Sequence, residues 1–282
     1  MAAEARKILV VGGGKMGEAI VAGWLAATEE PAGSIGSENF VVVEPGDSRR
    51  QYLEESHGVS CLADVSEVAF TPDVVVLAVK PQVMSGVLAS IAACNVLVGQ
   101  SARPLIVSIA AGLPTASIEA GLPGALSVVR VMPNMPLAIG AGASGVCGGV
   151  NASKDQVGYV ARMFGCLGRA VVVDESDMDV VCALSGSGPA YVAAMIEALR
   201  DAAAARGLDT ALAQELALQT VLGTARLIDE TGVSPDQARE SICSPGGTTL
   251  AALDALYQAG FTEMFDAVIE AAVKRSKELA QC

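Results

Sequence analysis

Short apolar runs alternate with longer stretches of helical periodicity through the first 174 residues. The short runs are rich in Val, Ile and Leu and predict strands at Ile8–Val11, Phe40–Val43, Val74–Val79, Leu105–Ile109, Ser127–Val131, Ala143–Cys147 and Ala170–Val173. The amphipathic stretches between them predict helices, among them Met16–Ala27, Arg49–His57 and Ser85–Ile91. This alternation predicts an α/β domain over residues 1–174 with a mostly parallel, doubly wound sheet. The last strands, separated by glycine-rich turns around Gly140–Gly149, are candidates for antiparallel additions.

The pattern changes at Asp174-Glu175-Ser176, after which almost every stretch is helical. Glycines 207, 232 and 260 mark candidate helix ends. The predicted helices are Met178–Leu184, Ala190–Arg206, Ala211–Thr231, Pro235–Ser241 and Leu250–Lys277. Residues 175–282 therefore form a predicted all-α domain. Since it is rich in Ala and Leu and low in charge, it has more apolar surface than one short bundle can bury, and we expect it to dimerise.

Composition narrows the class of protein. Apolar residues make up 52% and charged residues 17%, as in a folded globular chain. The net charge of −13, with no basic cluster beyond Arg49–Arg50, argues against a nucleic-acid or anionic-membrane partner. No apolar run is expected to approach the roughly 18–20 residues of a membrane span. Seven scattered cysteines and no signal-peptide pattern at the N-terminus predict reduced thiols and a cytoplasmic protein.

A glycine fingerprint, Gly12-x-Gly14-x-x-Gly17, follows the first predicted strand and opens the first predicted helix, with Lys15 and Met16 inside the turn. In that context the glycines permit a tight turn and let a pyrophosphate approach the backbone at a helix N-terminus. The fingerprint predicts a nicotinamide dinucleotide site; the alternative is a purely structural glycine turn.

The end of the second strand leaves the choice between NADH and NADPH open. Glu44 stands where an acidic residue usually binds the ribose 2′-hydroxyl of NAD, although a long loop places it 27 residues after Gly17. Arg49 and Arg50 follow closely, and two guanidinium groups can bind a 2′-phosphate. The arginines can equally be exposed residues at a helix start.

Three further strand ends lie at the same predicted sheet edge, where ligands bind in such folds. Val79-Lys80-Pro81 places a lysine there, with a solvated loop lysine as the alternative. Ala110-Ala111-Gly112 would let a flat ring lie close to the backbone, and Asn134 can bond a carboxamide; plain turns are the alternative for both.

The residues that are missing restrict the chemistry. The one histidine, His57, ends a predicted helix, and no lysine occurs between Lys154 and Lys274. Enzymes that act on hydroxy acids need such a group to move the alcohol proton. No His, Cys and Asp cluster has metal-ligand spacing, so no metal is expected. A protonated cyclic imine would need no strong protein acid, and its carboxylate can bind amides in the loop Ser244–Thr249.

Five sequence blocks, in order along nearly the whole chain, identify a resemblance to the pyrroline-5-carboxylate reductase family. They are Ala78–Pro81, Met132–Asn134, Leu184–Tyr191, Ser244–Thr249 and Lys274–Leu279. The resemblance implies NAD(P)H-dependent reduction of L-1-pyrroline-5-carboxylate to L-proline by a Rossmann-like domain followed by a helical dimerisation domain, often in a ring of dimers.

The same resemblance implies roles for individual residues. The backbone of Gly246, Gly247 and Thr248, in the loop that begins at Ser244, would hold the substrate carboxylate. The Thr249 hydroxyl matches the group that contacts the ring nitrogen. Glu175 and Lys80 match positions that line the substrate and nicotinamide region. Tyr191, Glu175 and water all remain open as the proton route.

Two other functions compete with this reading. A hydroxy-acid dehydrogenase of similar architecture would oxidise a 3-hydroxy acid, and the lysine-free stretch argues against it. A nucleotide-sensing protein that lost catalysis would bind the dinucleotide without turnover.

Overall fold

The computed structural model describes residues 6–99 and 103–279, which contain one eight-stranded sheet. Its strands are β1 (Ile8–Val11), β2 (Phe40–Val43), β3 (Ser60–Leu62), β4 (Val74–Leu77), β5 (Leu105–Ser108), β6 (Val128–Met132), β7 (Gly142–Gly148) and β8 (Gly168–Val172). Their order across the sheet is β3-β2-β1-β4-β5-β6-β7-β8. The first six strands are parallel, β7 runs antiparallel to β6, and β8 runs parallel to β7. The order reverses between β1 and β4, which in such sheets is where ligands bind.

Twelve α-helices lie within the described residues. They are α1 (Lys15–Ala26), α2 (Asp47–His57), α3 (Met84–Ala93), α4 (Asn95–Val98), α5 (Thr115–Ala120), α6 (Lys154–Gly165), α7 (Met178–Val181), α8 (Gly188–Ala204), α9 (Thr210–Thr231), α10 (Pro235–Ile242), α11 (Thr248–Gln258) and α12 (Phe261–Leu279). A π-helical turn, Cys182–Gly186, lies between α7 and α8.

The strands are buried on both faces because successive side chains point to opposite sides of the sheet. In β1, Ile8 and Val10 belong to one apolar cluster and Leu9 and Val11 to another. The first cluster includes Trp24 of α1, whose indole N–H donates to the Met163 carbonyl oxygen at 2.8 Å. The second cluster is covered by α3, α4 and α5. This double burial explains why the strands consist of uninterrupted apolar residues.

The predicted fold class is confirmed, and the differences have local causes. All seven predicted strands are present within a few residues, and the antiparallel β7 is among the late strands that were candidates for it. Strand β3 was missed because it has only three residues, and two of them, Ser60 and Cys61, have small side chains that do not form an apolar run. The predicted helical stretch Leu250–Lys277 is divided into α11 and α12 at Gly260, the predicted helix end, whose φ of +79° ends the helical path.

The chain divides into two compact units, 1–187 together with 272–282, and 188–271. The first contains the whole sheet, and the second contains α8 to α11 and the first part of α12. The predicted boundary after residue 174 stays a prediction.

Among the described residues, one helical stretch, Glu175–Ala204, is long and apolar enough to cross a membrane when judged by length and composition alone. Its mean hydropathy is 1.3 over the most apolar window, so the expectation that no run reaches membrane length is wrong for this stretch. The reason is that small apolar residues in α8 extend the run across a glycine-containing turn. A single such helix is weak evidence for a membrane span.

Candidate active site

The glycine turn after β1 has a backbone that requires glycine at two positions. Gly12 has a φ of +108°, and a Cβ placed on it would lie 2.6 Å from the Ala78 carbonyl oxygen, just beyond β4. A Cβ on Gly17 would lie 2.1 Å from the Gly12 carbonyl oxygen. Both contacts are far below van der Waals distance. The turn therefore brings β1, β4 and α1 together more tightly than any side chain allows.

The start of α1 is open in the way that a dinucleotide pyrophosphate needs. Gly14 is the N-cap residue, and no side chain among the described residues caps it. A Cβ on Gly14 would meet nothing within 4 Å, so free space lies beside the first-turn amides, which begin at Lys15 and Met16. Unpaired amides at the positive end of a helix dipole bind anions. The turn fits a nicotinamide dinucleotide.

Glu44 is the first residue after β2, beside this turn. Its carboxylate accepts the Gly13 N–H at 3.1 Å and the Gly46 N–H at 3.0 Å. Arg49 reaches the same turn and donates its Nε to the Gly13 carbonyl oxygen at 2.6 Å. The structure therefore places both Glu44 and Arg49 against the fingerprint turn, and their predicted roles toward the cofactor stay predictions.

Arg49 is also tied to Glu18 on α1, with Nη2 and Oε2 2.5 Å apart. Burial by itself raises the pKa of the Glu18 carboxyl, but hydrogen bonds from Arg49, His57 and Tyr52 together outweigh it and hold the pKa below its ordinary value. His57 is the last residue of α2, with Nε2 3.2 Å from the Glu18 carboxylate. The histidine thus has a structural partner at the helix end.

The other predicted cofactor residues follow the carboxyl ends of neighbouring parallel strands. Val79-Lys80-Pro81 comes after β4, with Lys80 exposed, and Ala110-Ala111-Gly112 comes after β5 with Gly112 at a φ of +78°. Asn134 comes after β6 and is buried. Its amide donates to the Ser185 carbonyl oxygen and accepts the Ala143 N–H. These bonds anchor the sheet edge, and its predicted contact with a nicotinamide carboxamide stays a prediction.

Glu175 is hydrogen-bonded to the start of α5. Its two oxygens accept the Thr115 N–H at 2.6 Å and the Thr115 hydroxyl at 2.7 Å. Arg130, in the middle of β6, places Nη1 3.6 Å from the same carboxylate, and its side chain is only 4% exposed. Its Nε and Nη2 are buried and have no hydrogen-bond partner among the described residues.

Sequence reasoning missed Arg130 and Thr115. A signal for Arg130 was available, because a charged residue inside an otherwise apolar central strand needs a buried partner. Thr115 carried no such signal, because threonine at a helix start is commonplace.

The loop Ser244–Thr249 lies in the second unit and leads into α11. Gly246 has a φ of +70°, a left-handed conformation that favours glycine, and Gly247 is the N-cap of α11. The Gly247 N–H donates to the Ser244 carbonyl oxygen at 3.0 Å. No side chain within the described part of the chain caps this helix, so the first-turn amides at Thr248 and Thr249 are open to an anion.

No group of three or more His, Cys, Asp or Glu side chains in the described ranges is placed to hold a metal ion. Cysteines 61, 94, 147, 166, 182 and 243 are free thiols. Burial raises the pKa of the Cys61 and Cys147 thiols to about 11.

Two family models match the chain, one in each half. Residues 7–112 match the NADP oxidoreductase, coenzyme F420-dependent family, and residues 175–279 match the pyrroline-5-carboxylate reductase dimerisation family. The chain is 42% identical to the pyrroline-5-carboxylate reductase of Synechocystis, covering 96% of this chain and 97% of that one. It is 37% identical to the Arabidopsis thaliana enzyme of the same name, covering 99% and 97%.

Solved structures agree with these sequence relatives. A pyrroline-5-carboxylate reductase from Coxiella burnetii superposes with a TM-score of 0.88 at 35% identity, covering 98% of this chain and 99% of the other. A pyrroline carboxylate reductase from Plasmodium falciparum, solved with NADP bound, has a TM-score of 0.83 at 30% identity and covers 98% of both chains.

Proposed function

The chain belongs to the pyrroline-5-carboxylate reductase family, and on that premise we propose that it reduces L-1-pyrroline-5-carboxylate to L-proline, the last step of proline biosynthesis. It is an NAD(P)H-dependent oxidoreductase acting on a carbon–nitrogen double bond. The observation that carries the proposal for this chain is the uncapped start of α11 behind the Ser244–Thr249 loop. A helix start of this kind suits a small carboxylate.

The substrate carboxylate binds the α11 start in this proposal. The backbone amides of Gly246, Gly247 and Thr248 donate to it, within the loop that Ser244 opens. The left-handed Gly246 turns the loop so that successive amides can converge on one anion. The Thr249 hydroxyl, one residue further into the helix, contacts the ring nitrogen.

A nicotinamide dinucleotide, when bound, would supply a hydride to the imine carbon. The π electrons of the C=N bond then go to the nitrogen, which carries a proton, so one hydride and one proton are consumed for each proline formed. The chain contributes mainly positioning, because the reacting atoms must lie roughly 3–3.5 Å apart. Carboxylate binding supplies remote binding energy for that alignment.

Lys80 and Glu175 are the side chains of the first unit that match positions lining the substrate and nicotinamide region in the family. Lys80 is exposed just after β4, at the reversal of strand order where such sheets bind ligands. Glu175 holds Thr115 by two hydrogen bonds, which steadies the segment that follows Ala110-Ala111-Gly112. Water and Tyr191 are alternatives to Glu175 for the proton.

Initial-rate measurements with the pyrroline carboxylate and either NADH or NADPH test the reaction. Oxidation of the nucleotide is expected on adding the imine. Protein that binds the nucleotide but does not oxidise it would refute catalysis and favour a nucleotide-sensing role.

Thr249→Val tests the substrate site. Loss of one hydrogen bond near the reacting nitrogen is expected to lower kcat/KM by about tenfold. Thr231→Val is the matched control, since among the described residues its exposed hydroxyl bonds only the Leu227 carbonyl oxygen. An unchanged kcat/KM in Thr249→Val would remove Thr249 from the site.

Gly247→Val tests the carboxylate contact. Even a Cβ on Gly247 would lie 3.1 Å from the Ser244 carbonyl oxygen, so a branched side chain must displace the loop or occupy the anion site. A large increase in KM is expected, and a KM equal to that of the wild type would refute the loop assignment.

Self-association through the helical region is part of the same proposal. An apolar groove of about 460 Å³ in the second unit is lined by residues that include Tyr191, Met195, Leu199, Phe261 and Phe265. A second copy would cover it, and dimers could assemble further into a ring. Light scattering on the purified protein should give at least twice the 28.5 kDa chain mass. A monomer with full activity would refute this part.

A cytoplasmic location is also proposed. The six free thiols of the described chain support a reducing compartment. Fluorescent tagging and cell fractionation test it.

A further inference from the structure

Glu44 occupies a fixed position beside the glycine turn. The Gly12 N–H donates to the carbonyl oxygen of Val43 at 2.8 Å, and the Glu44 N–H donates to the Leu62 carbonyl oxygen at 2.9 Å. The backbone of Glu44 therefore continues the sheet from β2. Its carboxylate is then held at both oxygens by the amides of Gly13 and Gly46, at 3.1 and 3.0 Å.

The carboxylate remains a strong acceptor after these two bonds. An ionised carboxylate has about four lone-pair sites, and the two amides use one on each oxygen. Glu44 is also partly exposed, so a ligand at the turn can reach it. Hydroxyl groups, which donate, suit the remaining sites, whereas a phosphate brings a second negative charge to the same position.

Arg49 is the first of two arginines beside Glu44 that could offset that repulsion, and its guanidinium is already engaged. Its Nε donates to the Gly13 carbonyl oxygen at 2.6 Å, and its Nη2 lies 2.5 Å from the Glu18 carboxylate. The group also lies over the Tyr52 ring, 5.0 Å from the centroid. These bonds tie α2 to the turn and to α1, and turning Arg49 outward would break them.

Arg50 is engaged as well. Its Nη1 donates to the carbonyl oxygens of Glu44 and Pro45, both at 2.8 Å, and its Nη2 pairs with the Asp47 carboxylate. Both arginines thus have carboxylate partners within this corner of the described chain. The carboxylates here outnumber the guanidinium groups by three to two, the three being those of Glu18, Glu44 and Asp47.

We propose that Glu44 makes this protein selective for NADH over NADPH: its amide-held carboxylate accepts the adenosine ribose hydroxyls and repels a 2′-phosphate, while Arg49 and Arg50 act as structural ties. The inference rests on the proposed use of a nicotinamide dinucleotide. It sets this chain apart from the Plasmodium falciparum relative, which was solved with NADP.

Nucleotide binding without substrate tests the selectivity apart from the reaction. Calorimetry on the full-length protein gives dissociation constants for NADH and NADPH, and for ADP against adenosine 2′,5′-bisphosphate as probes of the adenosine end alone. We expect NADH to bind at least tenfold more tightly than NADPH. Equal or tighter binding of NADPH would overturn the inference, and no binding of either nucleotide would overturn the cofactor assignment with it.

Variants assign the selectivity to the residue. Glu44→Ser is expected to reduce the NADH-to-NADPH binding ratio at least tenfold, mainly by improving NADPH binding. Glu44→Gln keeps the shape of the side chain and should shift the ratio in the same direction if the serine variant folds poorly. Glu55→Ser is the matched control, because its exposed carboxylate bonds only the Gln51 side chain among the described residues. A ratio that is unchanged in both Glu44 variants would refute the role of Glu44.

Arg49→Met separates the two roles of the arginine. If Arg49 is a structural tie, its loss loosens the glycine turn and lowers the affinity for NADH and for NADPH by a similar factor. If it binds a 2′-phosphate, only NADPH and the bisphosphate lose affinity, and that result would overturn the inference.

Discussion

Glu175→Gln should destabilise the first unit, because Glu175 is the counter-charge of a buried cation. Arg130 is 4% exposed, its Nη1 lies 3.6 Å from the Glu175 carboxylate, and its Nε and Nη2 have no other partner in the described chain. The Thr115 N–H and the Thr115 hydroxyl also both donate hydrogen bonds to this carboxylate. A neutral amide keeps the size of the side chain but removes the charge, and its NH2 group cannot accept a hydrogen bond.

The size of the effect follows from burial. Removing one partner of a fully buried ion pair costs about 3–5 kcal/mol. The Glu175 side chain is 34% exposed, so solvent screens part of that interaction. One hydrogen bond to Thr115 can persist through the amide oxygen. We therefore expect the free energy of unfolding to fall by about 2 kcal/mol, below the cost for a fully buried pair.

Urea unfolding at neutral pH measures this change. Trp24 is the one tryptophan in the chain and is buried in the first unit, so its fluorescence reports on that unit. The matched control, Glu55→Gln, removes a carboxylate from exposed α2 and should stay within about 0.5 kcal/mol of the wild type. Adding Arg130→Met to Glu175→Gln should recover part of the loss, because the unpaired buried charge is then gone. A Glu175→Gln protein as stable as the control, or strictly additive effects in the double variant, would refute the reasoning.

Three further predictions concern the turn, the thiols and acid stability. Gly17→Ala should abolish nucleotide binding in calorimetry, because its Cβ would lie 2.1 Å from the Gly12 carbonyl oxygen; retained affinity would contradict the tight turn. Cys61, which is half-buried, and Cys147, which is buried, have pKa values that desolvation raises to about 11, so both should resist iodoacetamide at pH 8 in the native protein; rapid labelling seen by mass spectrometry would contradict the raised pKa values. The folded-state pKa of Glu18 is lowered, so its stabilising contribution is present above its unfolded pKa of about 4.3 and is lost as the pH falls through the folded value. The difference in unfolding free energy between wild type and Glu18→Gln should therefore shrink in urea titrations from pH 7 to pH 3; a constant difference would exclude this linkage.

Local patterns in the sequence were enough to predict the architecture. Apolar runs such as Ile8–Val11 can only be buried on both faces, which requires a parallel sheet covered by helices. The spacing of the glycines from Gly12 to Gly17 was sufficient to predict a tight turn between a strand and a helix. The prediction for the loop from Ser244 to Thr249 also depended on local sequence alone. Glycine just before a helix leaves the first amides of that helix uncapped, whatever lies elsewhere in the chain.

Interactions between residues that are distant in the chain could be identified only from the tertiary structure. The sequence left the roles of Glu44 and Arg49 open, because those roles depend on contacts with Gly13 and Glu18, which lie 31 to 36 residues away along the chain. Arg130 and Glu175 are 45 positions apart in the chain, and they meet because β6 pairs with β7 and β7 pairs with β8, after which the chain reaches Glu175. The sequence gives the type of each side chain, but tertiary packing determines which partner that side chain contacts. Packing therefore decides whether a charge is free to bind a ligand or serves to hold the fold together.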